Sequence, residues 1–530
     1  MSTGAKKSSS MQHRSLTIRG YVLMKEKLTD KEIKNIKKDL TAEPVVLPAF
    51  REMGFGDTQK FPIYLESARR LYVPKHYGID NYGPPLVDEQ PVGEDICVKF
   101  KLPLRENQIK PFNKTVNQLK KVGGGILSLP CGYGKTAIAI KTITALKKKA
   151  LVIVHKDFLM EQWIDAISFF TDAKVGIIQQ NKVEIEGNDI CLGMIHSLCL
   201  KDYPPGTFEK FGTVIVDECH HLSSEMFSKV LPKTATRYRL GLSATPERRD
   251  GLSKVFFMSV GPLFHSEKRS GNNQVLIKQL QISSSSENYN VIFHSNGKSK
   301  NTGAMTTAIS QYDARNTLIV ELVRKMLSNN RKTIILSSRR GHLEQLKELM
   351  EKESMKRPDE RYATYGFYYG KQGMNKKQYK AMLSASTKCD VILATEQLAK
   401  EGLDIPDLDT LIMTSSIGEL GALEQSVGRI LRKFYDGTIN PVVFDIVDMC
   451  GNFPKHAGVR RKYYTGEGYP IDIFKLKLNA DNRSGIASAI DNYAERLLIE
   501  DARKSIKRVE KKEEKKKKEE DIPQGVCLLD

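Results

Sequence analysis

One tryptophan stands in 530 residues, and the eight cysteines run from Cys97 to Cys527 without a single C-x-x-C pair. That scatter gives no support for a zinc knuckle, a cysteine-held iron–sulfur cluster or a disulfide framework, and it points to a reducing, intracellular setting. Long apolar runs are missing as well. None approaches the roughly 18–20 residues that a membrane-spanning helix needs, so no membrane partner is expected. The first fifteen residues are basic with no apolar stretch behind them, which argues against a secretory signal. Acid is in deficit: 63 Asp and Glu against 83 Lys and Arg leave a net charge of +20. Such an excess favours a polyanionic partner, because each neutralised phosphate releases condensed counterions.

Part of the excess is local. Residues 503–520 hold ten basic and five acidic side chains, a pattern expected of a solvated helix or disordered tail, with a nucleic-acid tether or import signal as the sharper alternative. Upstream, Ser15–Lys25 and Phe61–Val73 read as strands, and Thr29–Leu40 reads as a helix with Asp30 as its N-cap. The proline-rich, acidic stretch 84–92 marks a boundary, so 1–98 is expected to be a small α+β accessory region. From 99 to 265, short β-branched runs alternate with amphipathic stretches, the pattern of buried parallel strands with intervening helices. Ile126–Leu129, Ala150–His155, Asp189–Ile195, Thr213–Asp217 and Arg239–Ser243 are the strands, and Lys135–Lys148 is one of the helices. Residues 266–305, rich in Ser, Asn and Lys, read as a linker. The alternation resumes over 306–475, with strand-like Lys332–Ser337, Asp390–Thr395, Thr410–Ser415 and Pro441–Val447, and 476–530 forms the tail. The expected fold is α/β, two parallel-sheet domains in tandem.

Two segments carry specific chemistry. Leu129-Pro130-Cys131-Gly132-Tyr133-Gly134-Lys135-Thr136 follows a strand and opens a helix. Its glycines let backbone N–H groups approach phosphates closely, and the helix N-terminus faces the same charge. Lys135 would reach the β- and γ-phosphates, and the Thr136 hydroxyl would ligate Mg²⁺. Leu129 stands where the usual pattern has its first glycine. The second segment, Val214-Ile-Val-Asp217-Glu218-Cys219-His220, is a buried strand ending in two acids. A nucleoside triphosphatase needs one carboxylate on Mg²⁺ and another to orient water, and Asp217 and Glu218 supply both. His220 reads as part of the same motif and His221 as structural.

With these in place the chain resembles the superfamily 2 DExH-box helicases, over about residues 100–435. Asp217-Glu-Cys-His220 is similar to their DExH box and Ser243-Ala-Thr-Pro246 to motif III. Val154–Trp163 resembles motif Ia, Ile334–Arg339 motif IV, Ala394–Pro406 motif V and Gln425–Arg432 motif VI. The details look like the XPB/Ssl2 type and the poxvirus A18-like transcript-release helicases of large DNA viruses. Cys219, where valine is usual, and Arg248-Arg-Asp250 depart from that pattern.

The resemblance implies two RecA-like domains, ATP and Mg²⁺ as cofactors, and nucleic acid as partner, DNA ahead of RNA. It places Arg105 and Gln108 near the adenine, Gly402, Asp404 and Gln425 beside the nucleotide, and Arg429 and Arg432 as arginines acting on the γ-phosphate from the second domain. Arginine suits that role because its planar fork makes paired phosphate contacts. A role in transcription or repair, transcription-machinery partners, and a nuclear or viral-factory location belong to the same expectation. An RNA helicase and a translocase that does not separate strands stay open as alternatives.

Overall fold

The computed structural model describes residues 14–43, 60–130, 132–219, 224–243, 253–267, 275–295, 297, 299–355, 362–371, 373–398, 405, 407–431 and 440–478. The chain divides into two units, Met1–Ser270 and Gly271–Asp530.

The first unit begins with a five-stranded sheet in the order Leu65–Glu66, Arg70–Val73, Gly20–Met24, Ser15–Thr17, Val87–Asp88. The run expected to be one strand over Ser15–Lys25 is a hairpin, with Thr17 paired to Gly20. Gly20 makes the turn possible: its φ is 122°, and a Cβ there would lie 2.5 Å from the Val73 carbonyl oxygen. Phe61–Val73 likewise breaks into three short strands, Phe61–Pro62, Leu65–Glu66 and Arg70–Val73. The helix Asp30–Asp39 is capped by Thr29 rather than Asp30. Thr29 Oγ1 accepts from the Glu32 amide at 3.3 Å, and the Glu32 carboxylate accepts from the Thr29 amide at 3.0 Å, a reciprocal capping box. The core of this module (Leu16, Tyr21, Leu23, Leu40, Leu71) also takes in Val255 from the helix Ser253–Ser259. The accessory region and the domain after it therefore share buried surface.

That domain is built on an eight-stranded sheet: Lys182–Val183, Val175–Gln179, Ile190–Met194, Ala150–Val154, Thr213–Val216, Tyr238–Ser243, Gly124–Ser128, Leu263–Ser266. Only Lys182–Val183 runs antiparallel to its neighbour. Alternate residues of one strand feed opposite cores: Val152 and Val154 pack on one face, Leu151 and Ile153 on the other. Covered on both faces, the strand is apolar throughout instead of alternating.

The second unit holds a seven-stranded parallel sheet: Tyr365–Tyr368, Val391–Thr395, Thr333–Ser337, Thr410–Met413, Val442–Asp448, Leu276–Ser284, Ile471–Leu478. The stretch 266–305, expected to be linker, contributes Leu276–Ser284 to this sheet and the start of the helix Thr302–Ser310. Composition misled because the strand buries polar side chains that find partners on the neighbouring strands. Lys278 binds Asp472, and Gln279 donates to Asp445 at 3.0 Å. The expected tail beyond Leu478 lies outside the described residues.

Candidate active site

Strands Gly124–Ser128, Tyr238–Ser243 and Thr213–Val216 are neighbours in the eight-stranded sheet and run parallel. Their carboxyl ends bring three segments side by side: the glycine-rich turn, Ser243, and the acids Asp217 and Glu218. Ligands of open α/β sheets bind at such strand ends. The Leu129 amide donates to the Ser243 carbonyl at 3.1 Å, tying the start of the turn to the neighbouring strand.

The turn needs its glycines: Gly132 and Gly134 have φ of 78° and 93°. Lys135 then opens the helix Lys135–Leu146, so the first helical amides follow the loop directly. Its Nζ donates to the Leu129 carbonyl at 3.1 Å and lies 3.7 Å from the Glu218 carboxylate. Glu218 itself has φ 45°, a left-handed conformation rare for a residue with a side chain. Thr136 is the next residue on the same first turn, and Pro130 precedes the glycines.

Asp217 is 7% exposed, and its carboxylate accepts from the Glu218 amide at 3.0 Å and from the Trp163 indole at 2.7 Å. Desolvation, with the Glu218 charge beside it, pushes its pKa up to about 6. A buried carboxylate and a threonine hydroxyl on the helix turn after the glycine-rich loop would make a hard-oxygen set suited to Mg²⁺, which takes one or two protein ligands and completes its shell with phosphate and water. Trp163 is the residue that the sequence reading left without a role. The usable signal was its place, as the chain's one tryptophan, at the end of the motif Ia segment.

Gln108 meets the glycine-rich turn directly. Its amide nitrogen donates to the Tyr133 carbonyl at 3.0 Å, and its oxygen accepts from the Arg105 amide at 3.0 Å. It braces the glycine-rich turn. Arg105 is the N-cap of the helix Glu106–Val122. The Tyr133 hydroxyl donates to the Asn107 carbonyl at 3.0 Å and also meets Glu267, which pairs with His265.

In the second unit, Gln425 lies within the helix Leu420–Gly428, and Arg429 begins a 3₁₀ turn directly after it. Both are buried, at 5% and 6% exposure. The α-helix thus ends at Gly428, directly before Arg429. Arg432 lies outside the described residues, as do Cys131, His220, His221, Gly402, Asp404 and residues 244–250.

Comparison with known proteins agrees with this arrangement. Residues 101–248 match the family described as type III restriction enzyme, res subunit, and residues 314–434 match the helicase conserved C-terminal domain. The mimivirus (Acanthamoeba polyphaga) protein L396, which carries the name of an ATP-dependent RNA helicase, is 32% identical over 86% of this chain and 86% of its own length. A protein of Sulfurisphaera tokodaii named DNA 3'-5' translocase XPB2 is 33% identical over 36% of this chain and 43% of its own. Among solved structures, the type ISP restriction-modification enzyme LlaBIII bound to DNA shares the fold, with a TM-score of 0.51 at 14% identity over 76% of this chain and 33% of its own. With both family segments in order on two parallel-sheet domains and a relative matched along most of its length, the chain belongs to the superfamily 2 helicases, of the kind found in large DNA viruses.

Proposed function

We propose that this helicase runs on DNA, in transcript release or repair, and that the strand-end cluster of the first unit hydrolyses ATP with arginines from the second. The observation that carries the catalytic reading is the convergence of Lys135, Asp217 and Glu218 on the end of the glycine-rich turn, with Lys135 already 3.7 Å from Glu218. In the proposed site Lys135 neutralises the β- and γ-phosphates, and Glu218 orients the attacking water. Thr136 and Asp217 hold Mg²⁺, which when bound offsets the charge that develops on the phosphates. Arg429 and Arg432 stabilise the transferring group, a contribution on the order of 10³–10⁵ in rate for such arginines.

Similarity to the XPB2 translocase and the XPB-like motif details support DNA as the track. The name of the mimivirus relative supports a second reading, an RNA helicase. Motifs that grip the backbone serve either. The deciding experiment measures ATPase stimulation by single-stranded DNA and by RNA of equal length, then strand displacement on duplexes of each with defined 3′ and 5′ tails. DNA-selective stimulation supports the proposal, and stimulation by RNA alone overturns it. Strong stimulation without strand release would identify a translocase.

A further inference from the structure

Strand Val442–Asp448 carries two buried aspartates, Asp445 and Asp448, three residues apart and so on opposite faces of the sheet. Each holds a buried arginine. From the helix Asp313–Ser328, Arg315 donates to Asp448 through Nε at 2.8 Å and Nη2 at 2.9 Å, and Nη2 also donates to the Thr414 carbonyl at 2.6 Å. From the helix Phe453–Gly466, Arg460 donates through Nε to Asp445 at 3.0 Å, with Nη2 2.8 Å from the same carboxylate. Its Nη1 donates to the Ile417 carbonyl at 2.9 Å and to Ser416 Oγ at 3.3 Å. His456, one turn earlier on the same helix, places Nδ1 3.0 Å from that hydroxyl.

Both guanidiniums therefore reach from one central strand to the same short loop, 414–417. Those residues begin the 414–419 connection from strand Thr410–Met413 to the helix Leu420–Gly428, which bears Gln425 and is followed directly by Arg429. Arg460 also feels the charge of Glu396, at the end of strand Val391–Thr395 where the motif V segment begins. One side chain is thus coupled to the strand core, the approach to motif VI and the start of motif V. It lies beyond residues 314–434, the stretch matched by the helicase C-terminal family.

We infer that Arg460 is a positioning residue for motif VI: anchored on Asp445, it fixes loop 416–417 so that Gln425 and Arg429 are presented in a constant place. The inference rests on the proposed role of motif VI in hydrolysis. A guanidinium is required because three separate N–H vectors must serve a carboxylate, a hydroxyl and a carbonyl at once. A lysine keeps the charge beside Asp445 but cannot span to Ile417.

The test compares full-length wild type, Arg460→Lys and Ser416→Ala. In Arg460→Lys the kcat for stimulated ATP hydrolysis should fall on the order of tenfold while KM for ATP stays within about twofold. Amide exchange over 416–424 should quicken, with exchange over 391–395 and the melting temperature held. Ser416→Ala should show the same pattern more weakly. An unchanged kcat in a folded Arg460→Lys protein overturns the inference, as does a kcat loss that merely tracks the folded fraction. Should Arg460→Lys fail to fold, Ser416→Ala decides: a kcat loss at constant KM supports the assignment and unchanged kcat overturns it. A wild type without ATP turnover would sink the proposed function instead, and the exchange comparison would still report on the clamp.

Discussion

Glu218 adopts φ 45° at the end of a buried strand, where a β-region backbone would be the relaxed choice. A conformation of this kind costs on the order of 1–3 kcal/mol and persists where surrounding structure over-determines it. The site accounts for it: the twist leaves the Glu218 carboxylate facing Lys135 while Asp217 stays buried against Trp163. Glu218→Gln should keep ATP binding and lower turnover by about 10²-fold or more, as expected when a water-orienting group is lost. Single-turnover kinetics alongside nucleotide binding checks both halves. Asp217 gives a prediction about stability. Its folded pKa is raised, to about 6, because ionising it in a dry pocket beside Glu218 is unfavourable. A raised pKa stabilises the fold at low pH, and that stabilisation is lost as pH rises through the folded value. Asp217→Asn in nucleotide-free protein should therefore raise the unfolding free energy at pH 7.5, by about 1–3 kcal/mol, with a matching rise in melting temperature, and the gain should shrink toward pH 4. A gain independent of pH would contradict the buried-charge account.

At the scale of elements, the seam between the small sheet module and the ATP-binding domain is a gathering of bases. Lys75 donates to Gln90 at 3.1 Å and to the Arg237 carbonyl at 3.2 Å, and Arg239 donates to the Ser259 carbonyl at 3.0 Å. His76 lies between them, 3% exposed, with its pKa lowered to about 3 by burial and then by the charges of Lys75 and Arg239. A depressed pKa contributes stability above the unfolded value, and that contribution is lost as pH falls toward the folded one. Below about pH 6.5 the seam should weaken by up to about 1.4 kcal/mol per pH unit. His76→Gln should flatten that part of the acid limb in thermal melts between pH 7 and 5. None of this was legible in sequence, because a lysine and a histidine opening a short helix look like surface. The same blindness hid the strand Leu276–Ser284, whose Lys278 and Gln279 are buried only because Asp472 and Asp445 arrive from about 170–190 residues further on. The parallel strands of the ATP-binding domain were legible, since burial on both faces forces unbroken apolar runs.

For the whole molecule the dominant quantity is charge, +20 over 530 residues. If nucleic-acid phosphates are the main contacts, the half-saturating concentration of single-stranded DNA for ATPase stimulation should rise steeply with salt. The log–log slope should be roughly 0.7 per phosphate neutralised. A salt-insensitive value would place binding elsewhere. The sequence by itself determined which residues, Lys135, Thr136, Asp217 and Glu218, carry the proposed chemistry, because phosphate and metal contacts demand particular residue types at particular spacings beside a strand. Helicase membership followed from the order of those motifs. Tertiary structure decided what holds them: Trp163 on Asp217, Gln108 on the turn, and Arg460 and Arg315 on the approach to Arg429. Such supports come from remote parts of the chain, and a side chain's partner is set by where the fold delivers it.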